Sequence, residues 1–268
     1  MIIRHDLKLI FVHVPKCAGK QVRWIFKQGA KPDAIEELWN YEHNSILNRY
    51  VDRAHLPLSD FRAYPQFKYL NRYRVVACIR DPYMRLPSAV NEYYRQKSKK
   101  YEDMANNGPL TMELRRDYYK KLVNKHSQLD PRFIHSLPIH RFTHYGEKAK
   151  VDYLLRCERL GTDIKSLSET LGWPEEMKKA IQEKFEGFET TKASFKLTRE
   201  EEVLAEMLYK IDFDTFGYRK RVKDDTEVGK KICQSGDVKC IHNCDEVAWH
   251  WGPTAKKGIL KLKANRQP

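Results

Sequence analysis

The sequence predicts an α/β protein with a mostly parallel central sheet flanked by helices. Two strand–turn–helix units carry the prediction, and a long insertion separates them. The rest of the chain supplies one more short strand and several amphipathic helices. At 268 residues there is enough chain for one sizeable domain, or one domain with a small appendage.

The first strand runs from about Lys8 to Val14 and ends in Pro15-Lys16-Cys17-Ala18-Gly19. Residues 20–28 follow as a helix, with Val22, Ile25 and Phe26 on one face. The second strand is Arg74-Val75-Val76-Ala77-Cys78-Ile79, a short apolar run rich in β-branched residues. It stops at Arg80-Asp81-Pro82, and a helix spans about 83–96. Further on, 111–124 reads as a helix, Val151–Arg156 as a strand, and 166–171 and 174–185 as helices, Pro174 suiting a first helical position. Thr198 and Glu201 form a capping box ahead of Val203, Leu204, Met207, Leu208 and Ile211. After Tyr218 the apolar rhythm fades, so the expected division is a main domain at 1–218 and a basic extension at 219–268.

The chain carries a formal charge of +14, and residues 219–268 hold 12 Lys/Arg against 6 Asp/Glu. A basic surface favours polyanions without choosing among them. Nucleic acid is one candidate, suggested also by 15 tyrosines, but no recognised binding module or dense aromatic–basic array is present. No apolar run approaches the roughly 18–20 residues of a membrane span, and the N-terminus enters its first strand without an apolar leader. The expected location is therefore the cytoplasm. Cys17, Cys78 and Cys157 lie far apart in sequence; Cys233, Cys240 and Cys244 cluster near His242 and His250, without the two-residue gap of a structural zinc site. Reduced thiols and no metal are expected.

The first turn has the makings of an anion site. A strand-to-helix turn aims backbone N–H groups and the positive end of a helix outward. Ala18 and Gly19 allow close backbone approach, and Lys16 and Lys20 add charge. The turn is not that of a nucleoside-triphosphate enzyme, whose pattern is G-x-x-x-x-G-K-[ST]. Val14 stands where the first glycine belongs, and Gln21 where a magnesium-binding hydroxyl belongs. An anionic nucleotide bound without metal fits better.

Phe11-Val12-His13-Val14-Pro15-Lys16-Cys17-Ala18-Gly19 resembles the 5′-phosphosulfate loop of sulfotransferases that use 3′-phosphoadenosine 5′-phosphosulfate (PAPS). The likeness is to the carbohydrate branch, which includes glycosaminoglycan 2-O-sulfotransferases and bacterial members. Lys20 and Gln21 depart from that family's Thr-Ser pair but retain hydrogen-bond donors. The second turn resembles the family's 3′-phosphate motif R-D-P-x-x-R-x-x-S, with Arg80, Asp81, Pro82, Arg85 and Ser88 in register. Val151–Leu160 and Asp212-Phe213-Asp214-Thr215-Phe216-Gly217-Tyr218 resemble two later family segments, so the likeness covers about 7–218.

The resemblance implies a P-loop-like fold, PAPS as co-substrate without metal, and a hydroxyl acceptor, expected to be a carbohydrate or glycolipid and suited by the basic balance to an acidic one. It implies that Pro15, Lys16, Cys17, Ala18, Gly19, Lys20, Gln21, Arg80 and Ser88 bind the nucleotide. Lys16 is expected to stabilise charge growing on the leaving phosphate. The acceptor hydroxyl needs a base of near-neutral pKa. His55, in His55-Leu56-Pro57-Leu58-Ser59-Asp60-Phe61, resembles a histidine segment of the family and is assigned that role. His13 is expected to be buried by strand alternation, and His126, in Asn124-Lys125-His126-Ser127-Gln128, resembles a segment lining the acceptor side and is the second choice of base and a substrate contact. Glu36 or Glu37 is the carboxylate alternative, since other branches use one. Two other readings stay open: a nucleotide-dependent phosphotransferase, and a catalytically inactive binder of nucleotides or polyanions. The sequence is silent on oligomeric state.

Overall fold

Short apolar runs form the buried strands of this chain, and helical faces cover them. The computed structural model describes residues 1–98, 103, 110–123, 130–186 and 195–222. Along the chain these form β1 (Ile2–Arg4), β2 (Leu9–Val12), α1 (Gly19–Lys27), β3 (Ile35–Glu37), β4 (Tyr41–Asn44), β5 (Arg49–Asp52), α2 (Leu58–Phe61) and β6 (Arg74–Ile79). Next come α3 (Pro82–Arg95), α4 (Met112–Leu122), α5 (His140–Thr143), β7 (His144–Tyr145), β8 (Lys148–Ala149) and β9 (Tyr153–Arg156). The last are α6 (Leu160–Thr170), α7 (Glu175–Phe185), α8 (Arg199–Leu208) and α9 (Lys210–Phe216). Of the described residues, 1–80 and 141–186 belong to one unit and the others to a second.

The first unit is built on a five-stranded sheet in the order β3-β1-β2-β6-β9. β2, β6 and β9 pair in parallel, with Val12 opposite Ala77 and Ile79 opposite Arg156. Val75 to Ile79 are all buried, as expected of a central parallel strand covered on both faces. β1 pairs antiparallel with both β2 and β3. The sheet is therefore parallel in its centre and antiparallel along one edge, and β1 and β3 were not foreseen. Only four residues separate β1 from β2, too few for the crossover a parallel pair requires. Ile2-Ile3-Arg4 is also too short a run to read as a strand from pattern alone.

Helix α1 buries Val22, Ile25 and Phe26, an i, i+3, i+4 face. Phe26 meets Trp173 edge to face, with ring centroids 5.2 Å apart. The far end of α1 is held by Arg4, which is fully buried. Its Nη1 donates to the carbonyls of Phe26 at 2.8 Å and Gln28 at 3.1 Å, placing a cation at the negative end of the helix. Asp6 supplies the counter-charge, accepting from Arg4 Nη2 at 2.7 Å. This clamp fixes the axis of α1, and with it the turn at the helix's other end.

The second unit has a core rich in tyrosine. Tyr93, Tyr94, Tyr118, Tyr119 and Tyr209 are buried, and Phe133 stacks on Tyr93 with centroids 5.1 Å apart. A buried phenol needs a partner. Tyr119 donates to Glu201 at 3.0 Å, Tyr209 to the Ser136 carbonyl at 3.0 Å, and Tyr94 to the Leu114 carbonyl at 2.7 Å. These tyrosines thus build a core, which removes much of the aromatic content that had suggested nucleic-acid binding. The capping box of α8 forms as read from the sequence, with Thr198 and Glu201 bonding reciprocally.

Two motif residues prove to be structural. Arg85 has no solvent exposure, and its Nη2 donates to the carbonyls of His135 at 3.1 Å and Leu137 at 2.6 Å. Asp212, equally buried, accepts from the backbone N–H groups of Ile139 and His140. Burial pushes its carboxyl up to about 6 against the opposing pull of Arg85 and those two donors. Phe213 and Phe216 are buried beside it, and Gly217 ends α9 in the left-handed region at φ 68°. An Arg85→Met substitution keeps most of the side chain's bulk but strands two buried carbonyls. The expected loss in urea unfolding is about 2–4 kcal/mol; a loss below about 0.5 kcal/mol would show that Arg85 is not structural.

Candidate active site

Parallel pairing of β2 with β6 brings the turns that follow them to the same edge of the sheet. Ligands of open α/β sheets bind at this C-terminal edge. After β2 the chain runs through Val14 and Pro15, both buried, to Lys16, half-exposed. Lys16 and Ala18 adopt positive φ, 62° and 56°. Such values cost a residue with a β-carbon about 1–2 kcal/mol, and they curl the turn tightly into α1. Ala18 is the N-cap of α1, and no side chain caps it. Lys20 is exposed and Gln21 half-buried.

Gly19 is needed here for space and not for a left-handed φ. A β-carbon on it would lie 1.8 Å from Nε2 of His13. The His13 imidazole therefore packs on the backbone of the turn, and only glycine admits it. His13 is buried, as its strand position suggested, with 5% of its surface exposed. Burial does not remove it from the site, because its ring also packs on that of His55, with centroids 4.3 Å apart.

Asp52, the last residue of β5, positions His55. Its Oδ1 accepts from the N–H of Ala54 at 2.9 Å and starts a 3-10 turn, Arg53–His55. Its Oδ2 accepts from His55 Nδ1 at 2.6 Å. With the proton on Nδ1, the lone pair lies on Nε2, the tautomer a general base requires. Burial lowers the His55 pKa below 6.5, Asp52 opposes the shift, and the N-terminal amine and then the Lys16 ammonium add to it. The charged imidazolium is therefore disfavoured relative to an exposed histidine. Asp52 was missed in the sequence reading, although an Asp three residues before the chosen His was the available signal.

Arg80, 8% exposed, donates from Nη1 to the carbonyl of Lys16 at 3.3 Å. The residue expected to bind the 3′-phosphate thus also braces the turn that holds Lys16. Cys17 is buried, and its side chain hydrogen-bonds with Cys157 at the end of β9. That contact and burial hold the Cys157 thiol well above its usual range; burial and Cys17 do the same for Cys78. Protonated thiols are poor nucleophiles, so Cys78 and Cys157 are packing groups, and Cys17 is buried against Cys157.

The carboxylate alternatives are engaged elsewhere. Glu36 accepts from His5 at 2.6 Å and from Gln66 at 2.8 Å. Glu37 pairs with Lys27 at 2.7 Å and Arg23 at 2.8 Å; burial raises its pKa, but the two cations outweigh burial and hold it low. Ser88 is half-buried on α3, in the second unit. His126 and the cluster of Cys233, Cys240 and Cys244 lie outside the described residues.

A cationic turn at a parallel sheet edge, beside a histidine oriented by a carboxylate, is an arrangement suited to group transfer from an anionic substrate. A family model described as the sulfotransferase family matches residues 1–219. The chain belongs to that family and is an enzyme, a sulfotransferase. No curated protein and no solved structure matches it significantly. Among the described residues, no helix is long and apolar enough to cross a membrane.

Two predictions test the local geometry. Gly19→Ala forces a clash with His13 and should cost about 1–3 kcal/mol in unfolding measurements. Combining it with His13→Ala should recover part of that loss, and simple additivity would refute the contact. In an NMR titration His55 should ionise below pH 6.5, lower still in Asp52→Asn, and higher in Lys16→Met. Shifts of the opposite signs would overturn the arrangement.

Proposed function

We propose that this enzyme transfers a sulfuryl group from PAPS to a hydroxyl of a carbohydrate, as a member of the glycosaminoglycan 2-O-sulfotransferase-like branch with a P-loop-like fold. The observation that carries the reading is the His55 imidazole held through Nδ1 by the Asp52 carboxylate, its pKa lowered by burial, at the edge where Arg80 meets the Lys16 turn. Residues 1–218 are the proposed catalytic domain and 219–268 an extension.

The residues present suit the donor. Lys16, Lys20, Gln21 and the uncapped start of α1 offer charge and N–H donors to the 5′-phosphosulfate, with Pro15, Cys17, Ala18 and Gly19 shaping the turn. Arg80 is the proposed ligand of the 3′-phosphate, with Ser88 contributing a hydroxyl. PAPS supplies an activated mixed anhydride, so the proposal assigns no metal. His55 Nε2 takes the acceptor's hydroxyl proton as the new O–S bond forms. Lys16 stabilises the charge left on the phosphate oxygen when the old S–O bond breaks. Asp52 holds the tautomer and stabilises the imidazolium that results. We place the reaction in the cytoplasm, where PAPS is available.

Calorimetric titration with 3′-phosphoadenosine 5′-phosphate (PAP) in EDTA tests the donor half. Micromolar binding is expected, weakened at least about tenfold by Arg80→Ala or Lys16→Ala. His55→Ala should retain PAP affinity while turnover falls about 10²–10⁴-fold. Preference for ATP with magnesium, or unchanged turnover in His55→Ala, would contradict the proposal.

A further inference from the structure

The hairpin that delivers Asp52 presents an unusual face to solvent. β4 and β5 pair antiparallel, with Tyr41 opposite Asp52 and His43 opposite Tyr50. Directly opposed residues share a face, as do residues two apart on a strand. Tyr41, His43, Tyr50 and Asp52 therefore lie on one side of the ribbon. The other side is fastened to the protein: Val51 is buried, Glu42 accepts from Tyr64 at 2.7 Å, and Arg49 pairs with Asp60 at 2.6 Å.

The ring-bearing side is open. Tyr41 is 54% exposed and Tyr50 62%, and His43 meets Tyr50 edge to face with centroids 5.3 Å apart. Trp39, just ahead of β4, is 44% exposed, and the Arg23 guanidinium lies 3.8 Å from its ring centroid. Clustered exposed aromatics mark a contact surface. At the inner end of the same face stands Asp52, 7% exposed and bonded to His55. The rings thus form a track that ends at the base.

We infer that this face of the β4–β5 hairpin is the acceptor subsite, where pyranose rings stack on Tyr41, His43 and Tyr50 so that a hydroxyl of the next sugar reaches His55. The inference rests on the proposed sulfuryl transfer and adds the place and manner of acceptor binding. A pyranose has a flat C–H face with a hydroxyl rim. Phenol and imidazole rings match both, offering an apolar face and a polar edge. Residues two apart on a strand advance about 6.6 Å, so successive rings form a continuous platform for an extended glycan. A ribbon this narrow suits a sugar chain better than a protein partner.

The test uses the full chain saturated with PAP, applied to an array of neutral and uronic-acid-containing pyranose oligosaccharides. Wild type should bind a subset of them. Tyr41→Ala/Tyr50→Ala, at exposed positions, should keep its melting temperature and PAP affinity yet lose about tenfold or more in glycan affinity. Glycan binding unchanged in the double variant would overturn the inference, as would the absence of any glycan binding by PAP-saturated protein. So would a Tyr41- and Tyr50-dependent interaction with phosphatidylglycerol vesicles in place of sugars, since the face would then serve a membrane. Failure to bind PAP at all is a separate result, which removes the sulfotransfer proposal itself.

Discussion

Everything in the site depends on the parallel pairing of β2 with β6, which sets Val12 beside Ala77 and so lays the two following turns side by side. Because both strands run the same way, their turns emerge at one edge, and Arg80 can reach the carbonyl of Lys16. An antiparallel arrangement would have sent the two cationic turns to opposite ends of the sheet. The antiparallel edge formed by β1 and β3 serves this core indirectly. Arg4 of β1 holds the far end of α1, and Glu37 of β3 pairs with Arg23 and Lys27 on the same helix.

Within that frame the base and the turn are built as one object. His13 packs on Gly19 on one side and on His55 on another, so the turn and His55 are separated by a single ring. Asp52 then fixes which nitrogen of His55 carries the proton. Burial lowers the His55 pKa, with the N-terminal amine and the Lys16 ammonium adding to the shift and the Asp52 carboxylate opposing it. In the proposed mechanism these opposing influences suit His55 to take a proton and to be stabilised once it has done so.

The parts legible in the sequence are those whose cause is local. β6 was readable because five consecutive apolar residues are buried on both faces, and α8 because its capping box is a four-residue pattern. The Pro15–Gly19 turn and Arg80 were readable through resemblance to a known motif. What escaped was tertiary. The contact of His13 with His55 joins residues 42 apart, and strand alternation correctly gave burial without saying what the ring would touch. The β4–β5 hairpin was hidden because Glu42 and Asn44 on its inner side are polar, so no apolar alternation betrays the strand. Arg85 and Asp212 belong to motifs, yet one holds backbone carbonyls and the other backbone N–H groups in the second unit. A motif match identifies a residue that matters without separating binding from support.

The measurement that bears most directly on the central claim, that one sheet edge holds both donor and base, is a crystal structure of the chain with PAP bound. The account predicts the 5′-phosphate within hydrogen-bond distance of Lys16 Nζ and the turn's N–H groups, the 3′-phosphate on Arg80, and Nε2 of His55 facing the 5′-phosphate. Phosphates bound away from Lys16 and Arg80, or a His55 ring turned from the 5′-phosphate, would contradict it.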